Sequence, residues 1–289
     1  MAFVKHRFGS TFYVKFKSNS KVKKTPIIFL HGGPGSTHNY FLNLKSLAKD
    51  REIYMYDQIG GGQSSDTGIK HWTIDTFVEE LKTLVKAWKL DNYILMGASW
   101  GTTLALEYFL AANKNEKKRI EKIIFQSPLF STSDWEKDAN RLIKELPKKS
   151  RKIINYCHEI EATDSKVYQK TVLEYYLKHV LRNKKLLFAP RKPNINGDKI
   201  YAHMWGPSEF KATGTLKKYE RASQLKKLKL PVLLVCGQYD EATPETVKKY
   251  HKMIKGSQFK VIKVIKEASH CISLERPKDL IKVIKTFID

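Results

Sequence analysis

Residues 93–112, YILMGASWGTTLALEYFLAA, constrain the fold more than any other stretch of the chain. A short β-rich run, YILM, enters Gly97-Ala98-Ser99-Trp100-Gly101, and a helix-forming run leaves it. A serine on so tight a strand-to-helix turn needs small residues two positions before and two after it, because side chains there would collide with the backbone. The turn lifts the hydroxyl above the sheet and sets it at a helix N-terminus, where developing negative charge is stabilised. The context carries this argument, since a bare GxSxG occurs by chance.

The rest of the chain repeats the alternation. Residues 11–17 (TFYVKFK), 26–30 (PIIFL), 53–56 (IYMY), 123–125 (IIF), 232–236 (VLLVC) and 261–265 (VIKVI) read as strands, most of them continuous apolar runs of the buried parallel kind. Residues 73–88 carry an apolar stripe at Ile74, Phe77, Val78, Leu81, Leu84, Val85 and Trp88, with Thr73 as N-cap. Further helices are predicted over 102–112 and 278–288. The rhythm breaks between about 129 and 224, which is helical, Lys-rich and aromatic, and resumes at Pro231. The pattern predicts an α/β-hydrolase fold, with a mostly parallel sheet covered by helices on both faces. Its core spans residues 1–128 and 225–289, and residues 129–224 form an inserted helical cap.

A serine is a weak nucleophile alone and needs a base and an orienting acid, which follow in this fold in the order Ser, acid, His. After VLLVC comes Gly237-Gln238-Tyr239-Asp240, and after VIKVI comes Glu267-Ala268-Ser269-His270. Both sit on loops beyond strand ends, where they can converge on Ser99. His158, His179 and His203 fall in the cap and His251 in a helix; Glu241 and Glu267 compete with Asp240 as the acid. The predicted catalytic set is Ser99, Asp240 and His270. The loop His31-Gly32-Gly33-Pro34-Gly35 directly follows PIIFL. Main-chain N–H groups of Gly32 and Gly33, with that of Trp100, are the predicted oxyanion donors, and glycines let the backbone come close.

HGGPG, then Asp57-Gln58-Ile59-Gly60-Gly61-Gly62-Gln63-Ser64, then GASWG together resemble the prolyl aminopeptidase (proline iminopeptidase) family of serine peptidases. The resemblance runs from about residue 25 to the C-terminus. It includes Met204-Trp205-Gly206-Pro207-Ser208-Glu209-Phe210, which is similar to a cap segment of the shorter members such as the tricorn-interacting aminopeptidases. Ala98 stands where many members have glycine. The resemblance implies release of N-terminal proline from short peptides with a free N-terminus. It also implies that Glu209 and Glu241 hold the substrate amine. Two shielded carboxylates suit that task, because a blocked N-terminus would leave both unpaired. Trp135, Trp205 and Phe210 are candidates for the proline pocket. The acyl-transfer chemistry needs no metal or organic cofactor. An amino-acid amidase, esterase or lactonase on the same scaffold is the alternative.

The net charge of +24 raises the question of a polyanion partner. Only nine of the 53 basic residues are Arg, and they are spread along the chain with no nucleic-acid motif. A solvated Lys-rich surface is therefore expected, with no nucleic acid and no membrane partner. Three cysteines at no metal-ligand spacing and the lack of a signal peptide pattern fit a reducing cytoplasm.

Overall fold

The computed structural model describes residues 2–22, 24–189, 194 and 196–289. Its eight strands are β1 (Ala2–His6), β2 (Gly9–Phe16), β3 (Lys24–Leu30), β4 (Arg51–Tyr56), β5 (Tyr93–Ala98), β6 (Ile120–Gln126), β7 (Val232–Gly237) and β8 (Lys260–Ile265). They form one sheet in the order β1-β2-β4-β3-β5-β6-β7-β8. β2 pairs antiparallel with β1 and with β4, and every other neighbouring pair is parallel.

Helices cover both faces: α1 (Ile74–Ala87), α2 (Trp100–Ala111), α3 (Lys114–Arg119), α9 (Pro244–Met253), α10 (Ile272–Glu275) and α11 (Pro277–Ile288). Pleating sends alternate residues of each buried strand to opposite sides. Ile28, Leu30, Leu95, Phe125 and Leu234 meet α1, α2 and α9 in one core. Ile27, Phe29, Met96, Ile124 and Val235 meet α11 and a 3₁₀ segment, His38–Lys49, in the other. Thr73 caps α1 as predicted, its Oγ1 accepting from Thr76 N at 3.2 Å. α2 begins two residues earlier than expected, immediately after Ser99.

Among the elements that were not anticipated, two show why. β1 is an edge strand whose residues alternate between half-buried and exposed, with Phe3 on the exposed side, so its sequence shows no inside–outside alternation of apolar and polar residues. The 3₁₀ segment buries His38, Phe41, Leu44 and Leu47. That three-residue spacing matches the 3₁₀ repeat and escapes a search for the 3.6-residue period.

Between β6 and β7 the chain forms α4 (Thr132–Ile143), α5 (Lys148–Glu159), α6 (Lys166–Tyr175), a π-helical turn at Tyr176–Val180, α7 (Lys184–Leu187) and α8 (Gly197–Met204). This segment has an interior of its own, in which Leu142, Ile154, Tyr168, Val172, Tyr175 and Phe210 pack together. Among the described residues it adds no strand to the sheet, only two isolated bridges. No helix among them is long and apolar enough to cross a membrane.

Glu80 of α1 is fully buried. Its Oε1 accepts from Ile59 N at 2.9 Å and from the Thr11 hydroxyl, while Oε2 has no partner. Burial pushes its pKa up to about 8, against the pull of those two hydrogen bonds. A folded-state pKa above the unfolded one means that the folded protein holds the proton more tightly. The associated stability is complete below the unfolded carboxylate pKa and is lost as pH rises through about 8. Glu80→Gln should therefore flatten the thermal-stability profile, removing about 1.4 kcal/mol of the loss between pH 7 and alkaline pH. An unchanged slope of Tm against pH would contradict this assignment.

Candidate active site

The site lies at the C-terminal ends of four adjacent parallel strands, where an open α/β sheet gathers its loops. Ser99 follows β5, Ser127 follows β6, Asp240 follows β7 and His270 follows β8. Ser99 has φ 53° and ψ −124°, a conformation that L-residues avoid. Neighbouring backbone holds it there. Ser99 N donates to Gln126 O at 2.9 Å, and Ser99 O accepts from Thr102 N at 2.8 Å and Thr102 Oγ1 at 2.7 Å. A methyl group on Gly101 would lie 1.9 Å from Leu30 O, and one on Gly97 would lie 2.2 Å from Gly101 O. Both glycines are thus required by the close passage of strand, turn and helix. The Ser99 side chain does not cap α2 and stands partly exposed among buried neighbours.

Asp240 is buried and accepts four hydrogen bonds. Its Oδ1 takes His270 Nδ1 at 2.8 Å and Ala242 N at 2.9 Å, and its Oδ2 takes Ser127 Oγ at 2.6 Å and Gly237 N at 3.2 Å. Burial by itself would lower the His270 pKa. The charge of Asp240 and its hydrogen bond outweigh that effect, with help from Glu209, so the net shift is upward. Ser127 went unrecognised in the sequence, although its place directly after a central strand was the available signal. Glu267, the rival acid, is exposed and hydrogen-bonded to the Tyr239 hydroxyl, away from His270.

The glycine loop meets the serine directly. A methyl group on Gly32 would stand 3.1 Å from Ser99 Cβ and 3.7 Å from its Oγ. Gly33 follows at φ 107°. Trp100 begins α2, so its N–H is among the helix-terminal donors that lack an intrahelical acceptor. The DQIGGGQS segment locks these pieces together. Gln58 N donates to His31 Nε2 and Gln58 Nε2 to His31 O, both at 3.0 Å, while Trp100 Nε1 donates to Gln58 Oε1 at 2.8 Å. His31 Nδ1 donates to Gly32 O at 2.9 Å, and burial lowers the His31 pKa to about 4, so the ring is neutral. Asp57 holds His38 Nδ1 at 2.7 Å and Gln63 N at 2.9 Å.

Glu209 and Glu241 also arrive at His270. Glu241 Oε1 lies 3.8 Å from His270 Nδ1, and Glu241 Oε2 is buried without a hydrogen-bond partner. Burial raises the Glu241 pKa well above the carboxylate range, and the charges of Glu209 and Asp240 raise it further. Glu209 is half-buried and accepts from the Tyr201 hydroxyl at 2.6 Å. Burial raises its pKa too, while that hydrogen bond and the charge of His270 pull the other way. The buried phenol of Tyr175 lies beside both carboxylates, and its interaction with Glu241 opposes that carboxyl's upward shift. Nothing in the sequence marked Tyr175 or Tyr201, whose positions depend on how α6 and α8 pack.

Of the three aromatic candidates, Trp135 meets His270 edge-on at 5.5 Å between ring centroids, and Trp205 packs on Trp135 at 5.9 Å. Phe210 instead joins the interior of the helical segment, 4.5 Å from Tyr175. The π-helical turn braces two loops at once. His179 O accepts from His270 N at 3.0 Å, and His179 Nδ1 donates to Tyr239 O at 3.0 Å. Among the described residues no cluster of three His, Cys, Asp or Glu could hold a metal ion.

The fold and this site define an α/β hydrolase with a serine at its nucleophile turn, and the model of the α/β hydrolase fold matches residues 25–277. The chain is 39% identical to a proline iminopeptidase of Heyndrickxia coagulans over 97% of its own length and 96% of that protein. It is 37% identical to one from Lactobacillus acidophilus, covering 92% of this chain and 91% of that protein. Its structure superposes on the crystal structure of a proline iminopeptidase from Mycobacterium smegmatis with a TM-score of 0.85, at 26% identity and over 99% and 97% of the two chains. The chain belongs to the proline iminopeptidase family of α/β hydrolases.

Two measurements test this geometry. Glu209→Gln removes a negative charge that raises the His270 pKa, so NMR titration of the His270 imidazole should move to lower pH in that variant. An unmoved titration would place Glu209 out of electrostatic reach. Gln58→Leu strands the Trp100 Nε1 donor and frees His31 O, which should cost about 1–3 kcal/mol in thermal stability. The same variant should slow labelling of Ser99 by a fluorophosphonate.

Proposed function

We propose that this chain is a serine aminopeptidase that releases N-terminal proline from short peptides through an acyl-enzyme. The observation that carries this reading is the pairing of two carboxylates, Glu209 and the unsatisfied Glu241, beside the His270–Asp240 pair. A cationic imino terminus bound there turns the costliest buried charge of the site into a pair of charge-assisted hydrogen bonds. Acylated N-termini offer no charge and leave both carboxylates unpaired. The helical segment 129–224 acts as a cap that closes the amine end of the cleft and so restricts the enzyme to chain ends.

In the reaction, His270, oriented by Asp240, takes the proton of Ser99 as its Oγ attacks the first peptide carbonyl. The oxyanion is held by main-chain N–H groups of Trp100 and the Gly32–Gly33 loop. His270 then gives the proton to the leaving amine and the C–N bond breaks. Water, deprotonated by His270, attacks the prolyl ester, and Ser99 leaves with the returned proton. Every group in this sequence is supplied by the chain, without a cofactor. The lysine-rich surface serves solvation rather than nucleic-acid binding, and the work of the enzyme is placed in the cytoplasm.

Release of a chromophore from free aminoacyl amides, run beside their N-acetylated counterparts, tests the reading. Free proline amide should be cleaved best and acetylation should stop the reaction. Ser99→Ala should lower turnover by at least about 10³-fold with the fold intact. Equal cleavage of acetylated substrates or plain acyl esters would leave a serine hydrolase but overturn the aminopeptidase.

A further inference from the structure

Glu209 sits on a turn that is tied into the helical segment by a polar triangle whose Ser208 and Tyr168 corners are buried and whose His158 corner is half-buried. Ser208 Oγ is 2.8 Å from the Tyr168 hydroxyl and 3.1 Å from His158 Nε2, and those two atoms are 2.9 Å apart. The same Ser208 Oγ accepts from Phe210 N at 3.2 Å, closing a turn around Glu209. On the other side Trp205 Nε1 donates to Ser208 O at 3.1 Å. Ser208 is 4% exposed and Tyr168 is 1% exposed, within an apolar interior that includes Ala139, Ile154 and Val172. The triangle joins α5, through His158, and α6, through Tyr168, to the residue next to Glu209.

The geometry points to His158, Tyr168 and Ser208 as positioning residues that hold the Glu209 carboxylate at the reach of one N-terminal nitrogen. This inference rests on the reading of Glu209 as an anchor of the substrate amine. Apolar side chains could fill the same space, but they would leave the turn free to slide against α5 and α6. Three mutually hydrogen-bonded polar groups, two of them buried and the half-buried His158 at the rim, have one good arrangement and so fix the register. Register matters here because Glu209 has one side-chain tether of its own, the Tyr201 hydroxyl, among its described hydrogen bonds. That tether fixes one carboxylate oxygen, and the triangle fixes the backbone from which the side chain departs. Trp205, which shares the turn, packs through Trp135 to His270, so the turn is also set relative to the reacting centre.

The test compares Tyr168→Phe and Ser208→Ala with Glu209→Gln in the full chain, on two substrates. Proline 4-nitroanilide has the free imino group, and 4-nitrophenyl acetate lacks one. Tyr168→Phe and Ser208→Ala should each raise KM for the anilide about tenfold, the worth of one well-placed hydrogen bond. Hydrolysis of the acetate ester should stay as in the parent. Ser208→Thr, which keeps the hydroxyl, should restore the lower KM. The inference is overturned if Glu209→Gln raises KM for the anilide while Tyr168→Phe and Ser208→Ala do not. It is equally overturned if the two variants slow both substrates alike, which marks a general loss of structure. Should Glu209→Gln itself leave KM unchanged, the amine-anchor reading falls, and this inference falls with it.

Discussion

The strand-to-helix turn at Ser99 is the constraint around which the other parts are arranged. A non-glycine residue at φ 53° costs on the order of 1–3 kcal/mol. The turn persists because β5 and α2 leave it no alternative. Gly97 and Gly101 bring the helix N-terminus against the end of β3, and the hydrogen bonds at Ser99 N and O close the geometry from both sides. Strain at one residue is small beside the burial of β3, β5, β6 and β7 on both faces of the sheet. The sheet therefore holds a conformation that the local sequence would not adopt alone, and a serine hydroxyl is left projecting above it.

Around that turn the electrostatics are graded. Asp240 has four donors and is fully engaged with the loop and His270. Glu209 has the Tyr201 hydroxyl, and the next residue after Asp240, Glu241, has an oxygen without a well-formed hydrogen bond, with the Tyr175 phenol beside it. Three carboxylates in one poorly solvated space cannot all hold charge cheaply, and the pKa of Glu241 rises accordingly. Two adjacent acids on one loop thus have opposite surroundings. One is satisfied and holds the His270 ring, and the other keeps an oxygen without a well-formed hydrogen bond.

Support for the glycine loop comes from an equally economical network. One side chain, Gln58, reads the carbonyl of His31 and the indole of Trp100, and its backbone N–H meets the His31 ring. The loops after β3, β4 and β5 are locked to one another by groups too buried to exchange these bonds for water. A neutral His31 is essential to the pattern, because its Nε2 must accept while its Nδ1 donates.

The sequence by itself determined the sheet-and-helix alternation, the seat of Ser99, the placement of Asp240 and His270 on the loops after β7 and β8, and the glycine loop after β3. These are local matters: pleating, helix period and tight turns write their requirements into neighbouring residues. Glu209 and Glu241 were legible only through likeness to a family, since an acid on a loop carries no sign of what it faces. The tertiary structure alone decided that Ser127 grips Asp240, that Tyr175 and Tyr201 stand by the carboxylates, and that Phe210 turns inward while Trp135 meets His270. Those contacts join residues far apart in the chain, and their spacing along it bears no relation to their distance in space. What a strand or turn needs is written beside it; what a side chain touches depends on how whole elements pack.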